Sequence, residues 1–387
     1  MSAALDILGD LIAFPTISTD SNLEMIDYLE RRLAAKGAVL RRFSDASGAK
    51  ANLFATLGPD TEGGILLSGH TDVVPVADQA WTSDPFAMQV RDGAAFGRGT
   101  CDMKGFIASA LAMVEALDPA KLTRPLHLAF THDEETGCLG ATDLVQELRR
   151  LDIAPDIAIV GEPTEMRIIE GHKGCFEYST RFKGLEGHGS APDAGVNAAE
   201  YAARYVARLL ELREDLKIRV PPASKFQPPW TTINVGRISG GVAHNVIAGR
   251  AEIDWEMRPV QDADAAFVKD ALAAFCRETL LPAMHAVDPA ASIELETIGE
   301  VAGLIPEPHN KARELVAELT GANAADLVAF GTEAGLFQSL GTQVVVCGPG
   351  SIVQAHKPDE FLALDQLAAC DAMLSRLAAK LKQPSRA

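Results

Sequence analysis

The sequence lacks the features that mark several broad classes of protein. Its six cysteines include no Cys-x-x-Cys pair, so neither a disulfide framework nor a cysteine metal site is expected. No apolar run approaches the ~18–20 residues of a membrane-spanning helix. The opening stretch MSAALDILGDLIAF carries two aspartates and no basic segment, unlike a signal peptide. Because the net charge is −18, nucleic acid is not expected as the main partner. We expect a cytoplasmic protein.

The pattern of apolar residues predicts two domains. Residues 1–172 alternate short apolar runs with helical patterns, and this alternation resumes over 300–387. It predicts an α/β domain with a mostly parallel sheet flanked by helices. Residues 173–299 follow the order β-α-β-β-α-β, which predicts an inserted ferredoxin-like α+β domain. Since an exposed edge of its sheet could pair with a second copy, we expect a homodimer formed through the insert.

Potential metal ligands follow the apolar runs of the predicted sheet. The runs ILLSG, LHLAF and IAIVG each lead into histidine or carboxylate side chains, and GRGTCDMKG and SIVQAHKPDE add two more. The residues concerned are His70, Asp72, Asp102, Glu134, Glu135, Glu162 and His356. In an open α/β sheet, side chains beyond the carboxyl ends of the strands converge in one crevice. The sequence therefore predicts a dinuclear hydrolytic centre at that edge.

Most of these residues also have an ordinary structural interpretation. His70 and Asp72 could form a surface turn, although a carboxylate two residues away can also hydrogen-bond the imidazole and orient it as a ligand. Asp102 could be a helix N-cap. Neighbours in an extended segment point in opposite directions, so one of Glu134 and Glu135 can bind metal while the other carries a proton. An acidic turn is the alternative for that pair, and a structural role is the alternative for the isolated His356.

The full set of residues favours two cations that share one carboxylate. Two cations ~3.5–4 Å apart could share Asp102 and take one histidine and one further carboxylate each. Nitrogen and oxygen ligands without thiolate suit Zn²⁺ or Co²⁺, with Mn²⁺ as an alternative. The adjacent Cys101 is expected to be a small buried residue rather than a ligand. Glu134 would deprotonate a water that attacks a carbonyl carbon, which is hydrolysis of an amide or peptide bond.

The motifs HTDVVP, GRGTCDMKG, HDEETG, GEPT and HKPDE, in this order, resemble those of the dinuclear zinc aminoacylase and carboxypeptidase family. The resemblance covers essentially the whole chain. It implies that Asp72 orients a histidine ligand and that Glu134 is the general base. The implied ligand pairs are His70 with Glu162 and Glu135 with His356, around a shared Asp102.

The resemblance also extends to residues expected to contact the substrate. His188 in GLEGHGSAP resembles a family histidine that the partner subunit supplies to stabilise the oxyanion. Asn245 in AHNVIAG resembles a polar contact, and Arg258 in MRP a guanidinium that holds the substrate carboxylate. Ser351 in GPGS and Glu333 in FGTEAGLF are further candidates. The alternatives are loop or turn chemistry for His188 and Ser351, core or edge pairing for Arg258, and a helix N-terminal position for Glu333.

The segment FGTEAGLF bears on the substrate. It resembles the corresponding segment of family members that deacetylate acetylornithine, whereas desuccinylases carry a GTSD-like segment. Glu333 would attract a free ammonium group of the substrate. The resemblance therefore implies removal of acetate from N2-acetyl-L-ornithine in arginine biosynthesis. Desuccinylation of diaminopimelate precursors, deacylation of another N-acyl amino acid, and a metal-binding module without catalysis are the alternatives.

Overall fold

The computed structural model describes residues 2–222 and 224–383, which form two compact units. Unit 1 contains the chain up to Gly171, the segment Pro306–Val328 and the chain from Thr332, and unit 2 contains His172–Ile305 and Ala329–Gly331. The insert was expected at 173–299. Unit 2 extends further because its last strand, Ser292–Val301, stays paired to Val301, and because Leu304 is bridged to His172.

The regular elements are numbered in chain order. Strands β1 to β17 are Val39–Ser44, Ala51–Leu57, Ile65–His70, Gln89–Arg91, Ala94–Phe96, Leu126–Thr131, Ile157–Pro163, Ile168–His172, Cys175–Lys183, Gly187–His188, Thr232–Gly240, Val246–Ile247, Arg250–Arg258, Ser292–Val301, Ala325–Val328, Gln343–Gly348 and Phe361–Ala363. Helices α1 to α10 are Ala3–Ile12, Leu23–Ala34, Gly105–Ala116, Leu139–Arg150, Ala198–Lys217, Asp262–Phe275, Leu281–His285, Lys311–Thr320, Ala334–Gln338 and Leu364–Lys380.

The sheet that carries the predicted metal ligands has the strand order β1-β2-β6-β3-β7-β16-β8-β15. Its four central strands, β6, β3, β7 and β16, are parallel, while β1, β2 and β8 pair antiparallel. Strands β3, β6 and β7 are buried along their whole length, as expected for continuous apolar runs in a covered parallel sheet. Helices α1, α2, α3, α8 and α10 share one apolar core with these strands. The predicted α/β class is confirmed, with antiparallel strands added outside the parallel centre.

Unit 2 contains an antiparallel sheet in the order β11-β13-β9-β14. With α5 and α6 between its strands along the chain, this is the split βαβ arrangement. Burial alternates along β13, so that Ile253 and Trp255 pack with Tyr178 of β9 and with the helices in one apolar core. Charged cross-strand pairs lie on the sheet as well, including Arg237 with Asp254 at 3.0 Å.

Two sequence expectations about composition can be compared with the described residues. None of their helices is long and apolar enough to cross a membrane. All six cysteines are free thiols, and Cys101 is buried, as predicted, with its Sγ 3.2 Å from the carbonyl oxygen of Ser351.

Candidate metal centre

The predicted ligands meet at the carboxyl ends of the parallel strands of unit 1. His70 is the last residue of β3, Glu162 lies near the end of β7, and Glu135 lies in the turn that follows β6. Asp102 comes from the irregular turn Thr100–Lys104 that precedes α3, and His356 from the loop after β16. Parallel strands end at the same edge, so residues far apart in the chain share one site.

Asp102 lies at the centre of this cluster. Its Oδ1 is 3.0 Å from His70 Nε2, and its Oδ2 is 3.4 Å from His356 Nε2. The two oxygens of one carboxylate thus face two different imidazoles, as expected for a carboxylate that bridges two cations. The N-cap alternative is not realised, because α3 begins at Gly105 without a side-chain cap.

Each imidazole also has a second carboxylate beside it. His356 Nε2 is 3.0 Å from Glu135 Oε2, and His70 Nε2 is 3.7 Å from Glu162 Oε1. One donor atom from each of His70, Asp102 and Glu135 lies within 4.8 Å of the others, and the same is true of His70, Glu134 and Glu162. The side chain of His356 is 52% exposed, whereas those of His70 and Asp102 are buried. The cluster therefore opens toward solvent on the His356 side.

The buried carboxylate of Glu162 lacks a partner that would offset the cost of burying its charge. Glu162 Oε1 is buried and has no hydrogen-bond partner, and 3.7 Å to His70 is too long for a hydrogen bond. Burial raises the pKa of Glu162 well above its ordinary value, and the charge on Asp102 adds to this. A buried unpaired carboxylate is costly, and a coordinated cation removes that cost. The donor set, with imidazole nitrogens and carboxylate oxygens, fits divalent ions such as Zn²⁺.

The acidic turn concentrates further negative charge. Burial raises the pKa of Glu134 well above its ordinary value; positive charge on His70 opposes this shift, while the carboxylates of Glu135 and Asp102 reinforce it. Burial opposes protonation of His70, but the surrounding carboxylates, Glu162 first, raise its pKa well above the ordinary value. Without metal the site therefore favours bound protons, which cations would replace.

Asp72 contacts both His70 and the acidic turn. His70 Nδ1 lies 2.9 Å from the backbone carbonyl oxygen of Asp72 and 3.5 Å from its carboxylate, so the nearer acceptor is the carbonyl. The carboxylate also accepts hydrogen bonds from Ser18 Oγ at 2.7 Å and from the backbone N–H groups of Glu134 at 3.1 Å and Glu135 at 3.3 Å. Asp72 therefore contributes to holding both the histidine and the acidic turn.

Glu134 and Glu135 do not lie in an extended segment. Strand β6 ends at Thr131, Asp133 has a φ of 55°, and residues 134–137 form a turn closed by Gly137 N–H to the Glu134 carbonyl at 3.1 Å. The expectation of opposite directions was therefore wrong. In the turn both carboxylates face the cluster, with Glu135 against His356 and Glu134 grouped with His70 and Glu162.

Two expected substrate contacts lie in unit 1. Glu333 is fully buried, and its oxygens accept hydrogen bonds from Ser68 Oγ at 2.5 Å and Thr131 Oγ1 at 2.7 Å. Both oxygens are thus engaged by protein hydroxyls of β3 and β6. Ser351 is partly exposed and bridged to Thr164 beside the end of β7.

The remaining expected substrate contacts lie in unit 2. His188 and Asn245 are exposed, and the short strands β10 and β12 bring them together, with His188 paired to Val246 and Gly189 N–H bonded to the Asn245 carbonyl at 2.7 Å. Arg258 binds the Glu256 carboxylate through Nε at 3.0 Å and Nη2 at 2.7 Å. The guanidinium group that was expected to hold the substrate carboxylate therefore binds a carboxylate of the protein.

Two residues of the quoted motifs were not singled out from the sequence. Arg98 of GRGTCDMKG and Glu360 of HKPDE form a buried ion pair at 2.7 Å beside Asp102. The two residues carry opposite charges and lie in two motifs that were already predicted to share one site. This pattern in the sequence could have indicated the ion pair.

Fold and donor set together place the protein among the metal-dependent amidohydrolases. Residues 66–380 match the model of Peptidase family M20/M25/M40, and the chain belongs to that family. The expected family is therefore confirmed. The chain is 36% identical over 388 residues to acetylornithine deacetylase of Pasteurella multocida and 38% identical over 383 residues to acetylornithine deacetylase of Myxococcus xanthus, with 96% of each chain covered in both comparisons.

Solved structures show the same fold at lower identity. The M20 family metallo-carboxypeptidase Sso-CP2 from Sulfolobus solfataricus superposes with a TM-score of 0.76 and 18% identity, covering 99% of this chain and 100% of that one. The YXEP protein of Bacillus subtilis, described as a dinuclear metal-binding peptidase, gives a TM-score of 0.62 at 17% identity, with 97% of each chain covered.

Proposed function

We propose that this protein hydrolyses N2-acetyl-L-ornithine to L-ornithine and acetate, a step of arginine biosynthesis. The observation that carries the hydrolytic chemistry is the position of Asp102, whose two oxygens face His70 and His356. The substrate is supported by the two acetylornithine deacetylases that match 96% of this chain. Desuccinylation and deacylation of other N-acyl amino acids are the alternatives that the substrate assay below distinguishes.

Two divalent cations, Zn²⁺ or Co²⁺, are proposed as cofactors. His70 and Glu162 would hold one, His356 and Glu135 the other, and Asp102 both. The distances of 3.7 Å within the first pair and 3.0 Å within the second support this pairing. When bound, the cations supply Lewis acidity toward the amide carbonyl and make water more acidic.

Glu134 is proposed to move the proton in this reaction. Its carboxylate accepts a proton from the attacking water as the oxygen adds to the acetyl carbon. It then donates that proton to the amine nitrogen as the C–N bond breaks, so that one proton is transferred for each amide cleaved. Hydrogen bonds from the backbone of Glu134 and Glu135 to Asp72 hold the turn in place.

The base assignment is tested with Glu134→Ala and Glu134→Gln. We expect both variants to retain close to two equivalents of bound metal and to lose at least ~100-fold in kcat, since a positioned general base contributes about 10²–10⁴-fold. Metal content is measured by elemental analysis of the same preparations. Turnover near the wild-type rate in either variant contradicts the assignment.

The substrate is tested by comparing kcat/KM for acetylornithine, acetylcitrulline and succinyl-diaminopimelate. Acetylornithine is expected to be the best of the three. A higher value for succinyl-diaminopimelate would instead identify the desuccinylase activity, and no turnover of any with metal bound would favour a module without catalysis.

Glu333 is proposed to favour the substrate ammonium, and its burial makes the test informative. Because both oxygens already accept hydrogen bonds from Ser68 and Thr131, a substrate can be attracted only through its charge or after a rearrangement. Glu333→Gln should then raise KM for acetylornithine and leave KM for an acetylated neutral amino acid unchanged. An unchanged KM for acetylornithine excludes the ammonium contact.

We also propose substrate contacts from Ser351 and, in unit 2, from Asn245, Arg258 and a partner-supplied His188 acting on the oxyanion. The pairing of β10 with β12, which groups His188 with Asn245, supports a joint role. Substitution of His188 by Ala should lower kcat more than it raises KM, since oxyanion contacts act in the transition state.

The homodimer is proposed to form through unit 2. Strands β11 and β14 are the outer strands of its sheet, and β14 exposes Leu295 and Ile298, each 47% accessible. Light scattering on the purified chain is expected to give twice the 41.1 kDa monomer mass. A cytoplasmic location is proposed as well, supported by the six free thiols.

A further inference from the structure

A buried ion pair lies beneath the turn that carries Asp102. Arg98 Nη1 and Glu360 Oε2 are 2.7 Å apart, and each side chain is 1% exposed. Burying two charges is costly unless further hydrogen bonds satisfy them, and every polar side-chain atom of this pair makes such a bond except Arg98 Nε, which has no hydrogen-bond partner. The partners of this pair therefore indicate what it holds.

Glu360 holds the Asp102 turn through its backbone. Oε1 accepts the N–H groups of Cys101 at 2.9 Å and Asp102 at 3.1 Å, and Oε2 accepts the N–H of Gly99 at 3.0 Å. With Arg98 as the fourth donor, both oxygens have two partners each. The backbone that presents Asp102 is thus tied to a residue of the His356 loop.

Arg98 reaches the His356 loop from the other side. Its Nη1 also donates to the Lys357 carbonyl at 3.3 Å, and its Nη2 donates to Gln79 Oε1 at 2.5 Å. Gln79 Nε2 in turn donates to the His356 carbonyl at 3.1 Å. The three side chains Arg98, Glu360 and Gln79, called here the Arg98–Glu360 network, therefore contact the backbone of both Asp102 and His356.

We infer that the Arg98–Glu360 network positions His356 together with the shared carboxylate of Asp102, and so the His356 half of the dinuclear centre, an inference that rests on the proposed function. His70 and Glu162 lie on β3 and β7, whose pairing in the central sheet fixes them. His356 instead lies in a loop at a φ of 62° and has no strand to fix it. Arg98, Glu360 and Gln79 are positioning residues, since they act through the backbone of the ligands.

The test is metal binding by the full chain after chelator treatment. Isothermal titration with Zn²⁺, and the visible spectrum during titration with Co²⁺, should resolve two binding events in the wild type. His356→Ala identifies which event belongs to the His356 half. Glu360→Gln, which replaces one acceptor oxygen by a donor, and Arg98→Lys, which keeps the charge but loses the planar fork, should weaken that event by roughly 10- to 100-fold. The other event, which shares Asp102 but does not involve His356, should weaken less.

Arg313→Lys is the matched control. Arg313 pairs with the buried Glu170 at 2.6 Å in the same unit, so the substitution perturbs an ion pair without contacting Asp102 or His356. It should leave both binding events unchanged. Gln79→Met is a milder variant that removes the bond to the His356 carbonyl and the acceptor of Arg98 Nη2 but leaves the Arg98–Glu360 ion pair intact. It should weaken the His356 event alone.

The inference is overturned if the network variants weaken both binding events equally, or if Arg313→Lys has as large an effect as Arg98→Lys. It is also overturned if the affinity of the His356 event is unchanged in folded Glu360→Gln or in Gln79→Met. Failure of the proposed function looks different, since the wild type itself would then bind fewer than two cations or leave every N-acyl amino acid intact.

Discussion

Replacement of Asp72 by Asn tests how the acidic turn is held. Three donors converge on the Asp72 carboxylate, namely Ser18 Oγ on Oδ2, Glu134 N–H on Oδ1 and Glu135 N–H on Oδ2. An amide keeps only one acceptor oxygen, and its NH₂ must face at least one of the backbone N–H groups. A hydrogen bond to a charged group is worth about 1.5–3 kcal/mol, and 1.4 kcal/mol corresponds to about tenfold. We therefore expect kcat/KM to fall by roughly 10- to 100-fold.

The assay is kcat/KM for acetylornithine together with metal content. Ser18→Ala is the control, because it removes one donor and leaves the carboxylate with both backbone bonds to the turn; its effect should be smaller than that of Asp72→Asn. Wild-type turnover in Asp72→Asn, or equal losses in the two variants, refutes the idea that the carboxylate orients the Glu134 and Glu135 turn.

Three further predictions concern stability. Lys104 is fully buried, its Nζ donates to two carbonyl oxygens at the end of α1, and burial lowers its pKa to about 7. Between pH 7 and 10 its amine is then neutral in the folded chain and charged in the unfolded chain. As the pH falls through that window, the unfolding free energy of the wild type should decrease relative to that of Lys104→Met by about 1.4 kcal/mol per pH unit. A difference between the two proteins that does not depend on pH contradicts this. Gly161→Ala would place a Cβ 1.9 Å from the Phe106 ring and should cost about 1–3 kcal/mol by thermal unfolding, unlike an Ala at Gly236, whose Cβ would meet no atom closer than 3.7 Å. Ile253→Ala, in the buried core of unit 2, should cost about 2–5 kcal/mol, and a loss below 1 kcal/mol would argue against that packing.

The parts of the fold predicted from the sequence are those with a strong local pattern. The apolar runs ILLSG, LHLAF and IAIVG lie within the strands β3, β6 and β7, since buried parallel strands are continuous apolar runs. Strand β1 was not predicted, because its sequence VLRRFS is partly exposed and does not alternate cleanly. The insert was predicted to end at 299, whereas the last strand of unit 2 continues to Val301.

The sequence predicted only those parts of the candidate site that depend on the position of a residue along a strand. Residues at the ends of parallel strands must converge, so His70, Glu135 and Glu162 could be grouped before the structure was known. No comparable rule predicts the path of the backbone through a turn. The direction of Glu134 and the actual partners of the Asp72 carboxylate therefore came only from the folded backbone.

The sequence by itself determined the types of the candidate ligands, their order and the edge of the sheet at which they meet, because these depend on apolar periodicity and on the chemistry of each side chain. The tertiary structure decided which oxygen of Asp102 faces which histidine. It also joined Glu360 to the Asp102 N–H across 258 positions of the chain. Such contacts are set by how loops pack at distances of a few ångströms, a condition that no local pattern in the sequence records.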